Sequence, residues 1–109
     1  MDNEEIVLCA SSSYKQQYYF NEDNFGGLPD SVKDEIKALV VTFTKDIGGI
    51  FSILFNVDGE LVLRPEKYED DILYDEIGCG LKTNQLENEN RELWDQLEAY
   101  YKAFVMREI

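Results

Sequence analysis

The residue whose type and setting most resemble those of a nucleophile is Cys79, which lies between Gly78 and Gly80. A reactive thiol needs a neighbouring base or cation that favours the thiolate. The chain has no histidine, the cation closest in sequence is Lys82, and the surrounding acids disfavour ionisation of a thiol. We therefore predict no catalytic residue, and we expect that the protein is not an enzyme.

Carboxylates are the other groups with chemical potential, and they are densest between residues 58 and 76. An acidic patch is predicted at Glu69, Asp70, Asp71, Asp75 and Glu76. This patch could bind a hard cation or a basic partner, but it lacks the spacing and the central glycine of a calcium loop. We interpret it as a solvated acidic face, and we predict no metal site and no cofactor.

The overall charge restricts the partners. The chain has 23 Asp and Glu against 10 Lys and Arg, a formal net charge of −13. Nucleic acids and anionic membranes are disfavoured as partners because phosphate contacts need clustered cations. Acidity permits attraction to a basic protein surface, or imitation of a nucleic-acid backbone.

Compartment and size follow from composition. No run of 18 apolar residues and no basic leader segment are present, so we expect a soluble, untargeted, cytoplasmic protein. Cys9 and Cys79 are the only cysteines. They form either one structural disulfide or, as a reducing compartment favours, two free thiols. A length of 109 residues suits a single domain, which we expect to span residues 1–109.

Residues 48–64 contain the densest apolar run and predict a β-hairpin. A two-residue turn at Asp58 and Gly59 would scatter apolar side chains over both faces. A type I turn over residues 57–59, with Gly59 as the bulge residue, pairs Phe55 with Leu61 and Ile53 with Leu63. We prefer the second register because it yields one apolar face.

Upstream of this hairpin, β-favouring runs predict strands at residues 4–11 and 14–20 and a loop at 21–27. In the first strand, Ile6, Leu8 and Ala10 are expected on one side, with Val7 and Cys9 on the other. Apolar residues at three- and four-residue steps predict an amphipathic helix from Leu28 to Ile47 that ends at Gly48.

A short helix is favoured over a loop at residues 66–77, and Gly78-Cys79-Gly80 is expected to break it. The last element is predicted as one helix over residues 83–107, with Thr83 as its N-cap. The apolar residues along one side of this helix either pack into the core or form a dimer interface. In a dimer, Asn90 would interrupt this apolar stripe, as the polar residues that fix the register of coiled coils do. The candidate interface consists of Leu86, Asn90, Leu93, Trp94, Leu97, Tyr100, Tyr101 and Phe104.

These elements predict an α+β fold in the order ββαββ(α)α, with a mainly antiparallel four-stranded sheet packed with two long helices. Apolar positions on both sides of the strands indicate that the second face is covered, by helices on opposite faces or by another subunit. We therefore predict a homodimer.

The leading hypothesis for function is a non-catalytic interaction or regulatory module that meets a basic protein partner. The second is an acidic inhibitor or nucleic-acid mimic, which needs its carboxylates on one face. The third, a small-ligand binder or enzyme, needs a pocket with convergent polar groups around Tyr14, Lys15, Gln16 or Arg64.

Three stretches of the chain carry a resemblance to known proteins: residues 5–23, residues 28–63 and the acidic run before the last helix. Together they resemble an uncharacterised family of small acidic proteins from Firmicutes-type bacteria. This resemblance implies a bacterial cytoplasmic origin and no known activity. Residues 48–63 are also similar in shape to the hairpin of roadblock-type regulatory domains, which dimerise, although those domains usually begin with a helix.

Overall fold

The computed structural model describes residues 5–67 and 74–106. The elements follow the predicted order of two strands, a long helix, two strands and C-terminal helices. They are β1 Ile6–Ser12, β2 Gln17–Phe20, α1 Glu22–Phe25, α2 Asp30–Ile47, β3 Ile50–Phe55, β4 Leu61–Glu66, α3 Glu76–Glu89, α4 Arg91–Tyr100 and a π-helical turn Tyr101–Val105. The predicted α+β fold is confirmed.

The four strands form one antiparallel sheet in the order β2-β1-β3-β4. In the β3–β4 hairpin Ile53 pairs with Leu63 and Phe55 with Leu61, so the predicted register is confirmed. Gly59 has a φ of 84°, as the bulge position of the turn requires. A Cβ at Gly59 would also lie 2.7 Å from the Met106 sulfur.

The prediction of which β1 side chains share a face is wrong from the middle of the strand onward. A β-bulge between Val7 and Cys9 changes the alternation, so that Ile6, Cys9 and Ser11 pair with residues on the core side of β3. Leu8 lies in the bulge and is fully buried. Alternation could not reveal this, because an inserted residue shifts the phase of every later side chain.

Helix α2 ends at Gly48, as predicted, where φ reaches 94°. Its apolar stripe packs onto β1 and β3, and the Phe43 and Phe51 rings stack with their centroids 4.0 Å apart. The predicted loop before it contains a short helix, α1, which Asn21 caps by accepting a hydrogen bond from the Asn24 N–H. This helix inserts Phe25 into the core.

The C-terminal half departs most from prediction. Gly78 and Gly80 do not break a helix but lie inside α3, whose first turn Asp75 caps by accepting from the Gly78 N–H at 2.8 Å. A capping carboxylate stabilises a helix by about 1 kcal/mol, similar to the cost of one internal glycine. Half of the predicted short helix at residues 66–77, namely 68–73, lies outside the described residues; Glu66 ends β4, and residues 76–77 begin α3.

The predicted single terminal helix is two helices, because the chain leaves helical geometry at Asn90 (φ −116°, ψ 26°). Helix α4 follows and continues into the π-helical turn. Both α3 and α4 lie on the same side of the sheet as α2, and their buried residues join the core cluster of Phe51, Ile53 and Phe55. No helix of residues 5–67 and 74–106 is long and apolar enough to cross a membrane.

The two glycines of α3 provide a stability test. A Cβ at Gly78 would meet the Asp75 carboxylate, whereas a Cβ at Gly80 meets nothing within 4 Å. We expect Gly80→Ala to raise the free energy of unfolding by about 1 kcal/mol through helix propensity. Gly78→Ala should raise the free energy of unfolding by less than Gly80→Ala does, or should lower it, since the new methyl group displaces the capping carboxylate. Urea denaturation of both variants checks this, and equal stabilisation would contradict the capping geometry.

Candidate functional site

The structure places most of the predicted interface residues in the core of the same chain. Leu86, Trp94, Leu97 and Tyr101 are buried, and Leu93 and Tyr100 pack against them while partly exposed. The Tyr101 ring stacks on Phe55 with centroids 4.2 Å apart, and burial raises its pKa. Phe104 alone projects into solvent, 66% exposed. Dimerisation through this helix stays a prediction.

Asn90 lies at the junction of α3 and α4 rather than on a continuous seam. Its side-chain amide donates to the Leu86 carbonyl at 3.2 Å, and the Trp94 indole N–H donates to the same oxygen at 3.0 Å. Asn90 therefore shapes the bend between the two helices of one chain.

The predicted acidic patch is described only in part. Glu69, Asp70 and Asp71 lie outside the described residues. Asp75 caps α3, and Glu76 forms an ion pair with Lys67. Within residues 5–67 and 74–106, no group of three acidic or cysteine side chains could hold a metal ion.

Both cysteines are free thiols, which confirms the favoured interpretation. Cys9 faces the core from β1, and burial raises its pKa from 9.0 to about 12. The Tyr74 hydroxyl donates to the sulfur of Cys79, in the first turn of α3, at 3.0 Å. Because Cys79 lies within α3, it is not at the helix break that was predicted for Gly78-Cys79-Gly80.

The sheet face opposite the helices is the first surface feature that could bind a partner. We call it the open face. The register aligns Val7, Leu54 and Val62 in one row across it, and Ala10 and Ile50 lie on the same side. Tyr19 extends the face onto β2 and is 53% exposed. A shallow depression of about 160 Å³ lies among Ala10, Ser12, Tyr19 and Ile50.

One ion pair spans this face. Arg64 on β4 donates two hydrogen bonds, of 2.8 and 2.9 Å, to the carboxylate of Glu5 just before β1. The hydrogen bond and the charge of the guanidinium hold the pKa of Glu5 below its ordinary value. Since β3 lies between these strands, the pair crosses above Leu54, which is only 2% exposed although it lies on the open face.

A cavity of about 450 Å³ is the second feature, and we call it the hairpin cavity. It lies between the β1–β2 turn and the second half of α2. Its polar lining includes Ser12, Ser13, Gln16, Gln17 and Lys45, and its apolar lining is Val41 and the Tyr18 ring. Of the residues that sequence reasoning named for such a pocket, Gln16 lines it. Arg64 belongs to the open face.

Two buried hydroxyls form the floor of the hairpin cavity. The Ser11 and Thr44 hydroxyls are hydrogen-bonded to each other at 2.8 Å, and the Thr44 hydroxyl also lies 3.2 Å from the carbonyl oxygens of Val40 and Val41. One feature of the sequence could have indicated this cavity. Residues 6–21 contain no Asp or Glu, although the whole chain has 23.

The buried setting of Cys9 predicts strong protection from thiol reagents. In a Cys79→Ser variant, Cys9 should stay unlabelled by an aromatic disulfide reagent at about pH 8 until denaturant unfolds the chain, since the thiolate is the reactive form. Labelling of Cys9 in the folded protein as fast as in the unfolded protein would contradict this.

The same burial predicts a pH dependence of stability. Between pH 9.0 and about 12 the unfolded chain loses the Cys9 proton and the folded chain keeps it. The free energy of unfolding should therefore fall as the pH rises through this range. A Cys9→Ala variant should show a smaller fall in the same denaturation series.

No curated protein matches the chain, and no solved structure matches it. One family model does match, over residues 5–109, and its description is a family of unknown function, DUF6145. This match covers nearly the whole chain, and the protein therefore belongs to the DUF6145 family.

Proposed function

We propose that this protein is a non-catalytic interaction module that works as a homodimer through the open face of its sheet. One observation carries the proposal: all the described helices that pack on the sheet lie on a single face, while the other face has apolar side chains at its centre. An antiparallel sheet with one solvated face normally has polar residues on that face. A second copy of the chain would cover it.

Charge favours a second copy at this surface. The open face has three charged side chains: Glu5, just before β1, and Arg64 and Glu66 on β4. Glu5 and Arg64 form an ion pair and neutralise each other, and Glu66 lies at the end of β4. Two molecules with a net charge of −13 repel each other least where their surfaces are nearly neutral. Two sheets meeting face to face about 10 Å apart would bury the partly exposed Val7 and Val62 of both copies, on either side of Leu54, which is already buried.

Such a dimer would leave the helices outermost. Twelve of the seventeen described Asp and Glu residues lie in helices, whereas β1 and β2 have none. The dimer would therefore present acidic helical surfaces on both sides, suited to a basic protein partner. The free thiols and the likeness to proteins of Firmicutes-type bacteria support action in a bacterial cytoplasm.

Introducing a charge on the open face tests the proposal. We expect native protein to have the mass of a dimer by light scattering at several concentrations. Val62→Glu should give a folded monomer, with a dissociation constant raised about 100-fold or more, because burying an unpaired carboxylate costs at least about 3 kcal/mol. Circular dichroism should show that the variant keeps its secondary structure.

Two matched variants serve as controls. Ile77→Glu changes a side chain that is 79% exposed on α3 and should remain dimeric. Phe104→Glu tests the predicted terminal-helix interface at its most exposed residue. A monomer from Phe104→Glu and a dimer from Val62→Glu would assign the interface to the terminal helix instead.

An acidic inhibitor or nucleic-acid mimic is the second candidate function, and the concentration of carboxylates on the helices supports it. A native protein that is monomeric at every concentration would overturn the homodimer and leave this candidate ahead.

A further inference from the structure

We propose that the hairpin cavity is a binding site for a small organic monocarboxylate with an apolar tail. The volume of about 450 Å³ lies within the range of small-molecule sites, which combine mostly apolar walls with a few placed polar groups. Val41 and the ring of Tyr18 supply exposed apolar walls, and Lys37 lies 5.7 Å from the centroid of that ring. This site shares Ser12 with the edge of the open face, but its proposed ligand binding does not rest on the dimer proposed there.

The charge of the lining selects a negative ligand. The cavity has no Asp or Glu in its lining although the chain has 23, and its one charged residue is Lys45. No carboxylate in the described parts of the chain forms a salt bridge with Lys45, as is also true of Lys15, Lys37 and Lys102, but Lys45 is the lysine that lines this cavity. An ammonium group left without a protein partner at a cavity wall is suited to a carboxylate from solution.

A single ammonium group favours a monoanion over a phosphate. Phosphate sites usually combine several cations or a series of backbone N–H groups from a glycine-rich loop, and the β1–β2 turn contains no glycine. A doubly charged anion also meets stronger repulsion from a chain of net charge −13. The hydroxyls of Ser12 and Ser13 and the amides of Gln16 and Gln17 can donate the remaining hydrogen bonds.

The turn that forms one wall is held in place without a ligand. The Ser13 N–H donates to the Gly49 carbonyl at 2.9 Å, which ties the turn to the start of β3. Gln16 has a φ of 51°, a left-handed conformation that is uncommon for residues other than glycine. Replacing Gln16 with glycine would relieve that backbone conformation while removing an amide from the site.

The test is a ¹H–¹⁵N NMR titration of the native protein with hexanoate, with hexanamide and inorganic phosphate as comparison probes. We expect saturable shifts at Ser12, Ser13, Gln16, Val41 and Lys45 with hexanoate. Hexanamide should bind at least about tenfold more weakly than hexanoate, since a charge-assisted hydrogen bond contributes about 1.5–3 kcal/mol. Phosphate should shift these signals weakly and without saturation.

Three variants separate binding from folding. Lys45→Met keeps the apolar stem and should weaken hexanoate binding about tenfold. Lys102→Met, at a lysine outside the cavity, should bind hexanoate as native protein does. Gln16→Gly should weaken binding while melting no lower than native protein, a combination that loss of structure would not produce.

Several results would overturn the proposal. These are the absence of saturable shifts at the cavity with hexanoate, equal affinity for hexanoate and hexanamide, unchanged binding by Lys45→Met, and tighter binding of phosphate than of hexanoate. Light scattering on the same samples measures the dimer separately, so either proposal can fail alone.

Discussion

The burial of Phe51, Ile53 and Phe55 on one face of β3 is the constraint on which the remaining structure depends. All three side chains are fully buried, and β3 is an inner strand with β1 on one side and β4 on the other. Helix α2 stacks Phe43 on Phe51, and the π-helical turn stacks Tyr101 on Phe55. Aromatic side chains bury large areas, so whatever covers this row dominates the packing energy.

Covering this row draws the distant parts of the chain together. Phe25 of α1 stacks with both Phe55 and Tyr101, at centroid distances of 5.5 and 6.0 Å. At the edge of the sheet, the Glu98 carboxylate of α4 accepts a 2.7 Å hydrogen bond from the Leu61 N–H of β4. This bond satisfies a donor of the edge strand and seats α4 beside it, which limits edge-to-edge pairing with other chains.

One-sided packing also separates the surface into regions of different character. The helices carry most of the described carboxylates, the open face is apolar and nearly neutral at its centre, and the hairpin cavity is lined without a carboxylate. In a chain so acidic, surfaces from which negative charge is excluded are the places where another copy or an anion can approach. The two proposals concern these two surfaces.

The local pattern of the sequence determined the strands, the long helix and the hairpin register. Period-two alternation together with Gly59 admits only one turn that places Phe51, Ile53, Phe55, Leu61 and Leu63 on one face. Helix α2 was equally predictable, since its apolar residues recur at helical spacing and Gly48 ends it. The acidity and the absence of histidine are properties of the composition alone.

Tertiary structure alone decided the remainder, because those features depend on contacts between residues distant in sequence. Gly78 and Gly80 are helical because the Asp75 cap and the burial of Cys79 offset their low propensity. The stripe from Leu86 to Tyr101 predicted a buried surface but not which surface it meets, and packing against the aromatic row of β3 placed it in the core. The open face and the hairpin cavity arise where that packing ends, so spacing along the chain could not locate them.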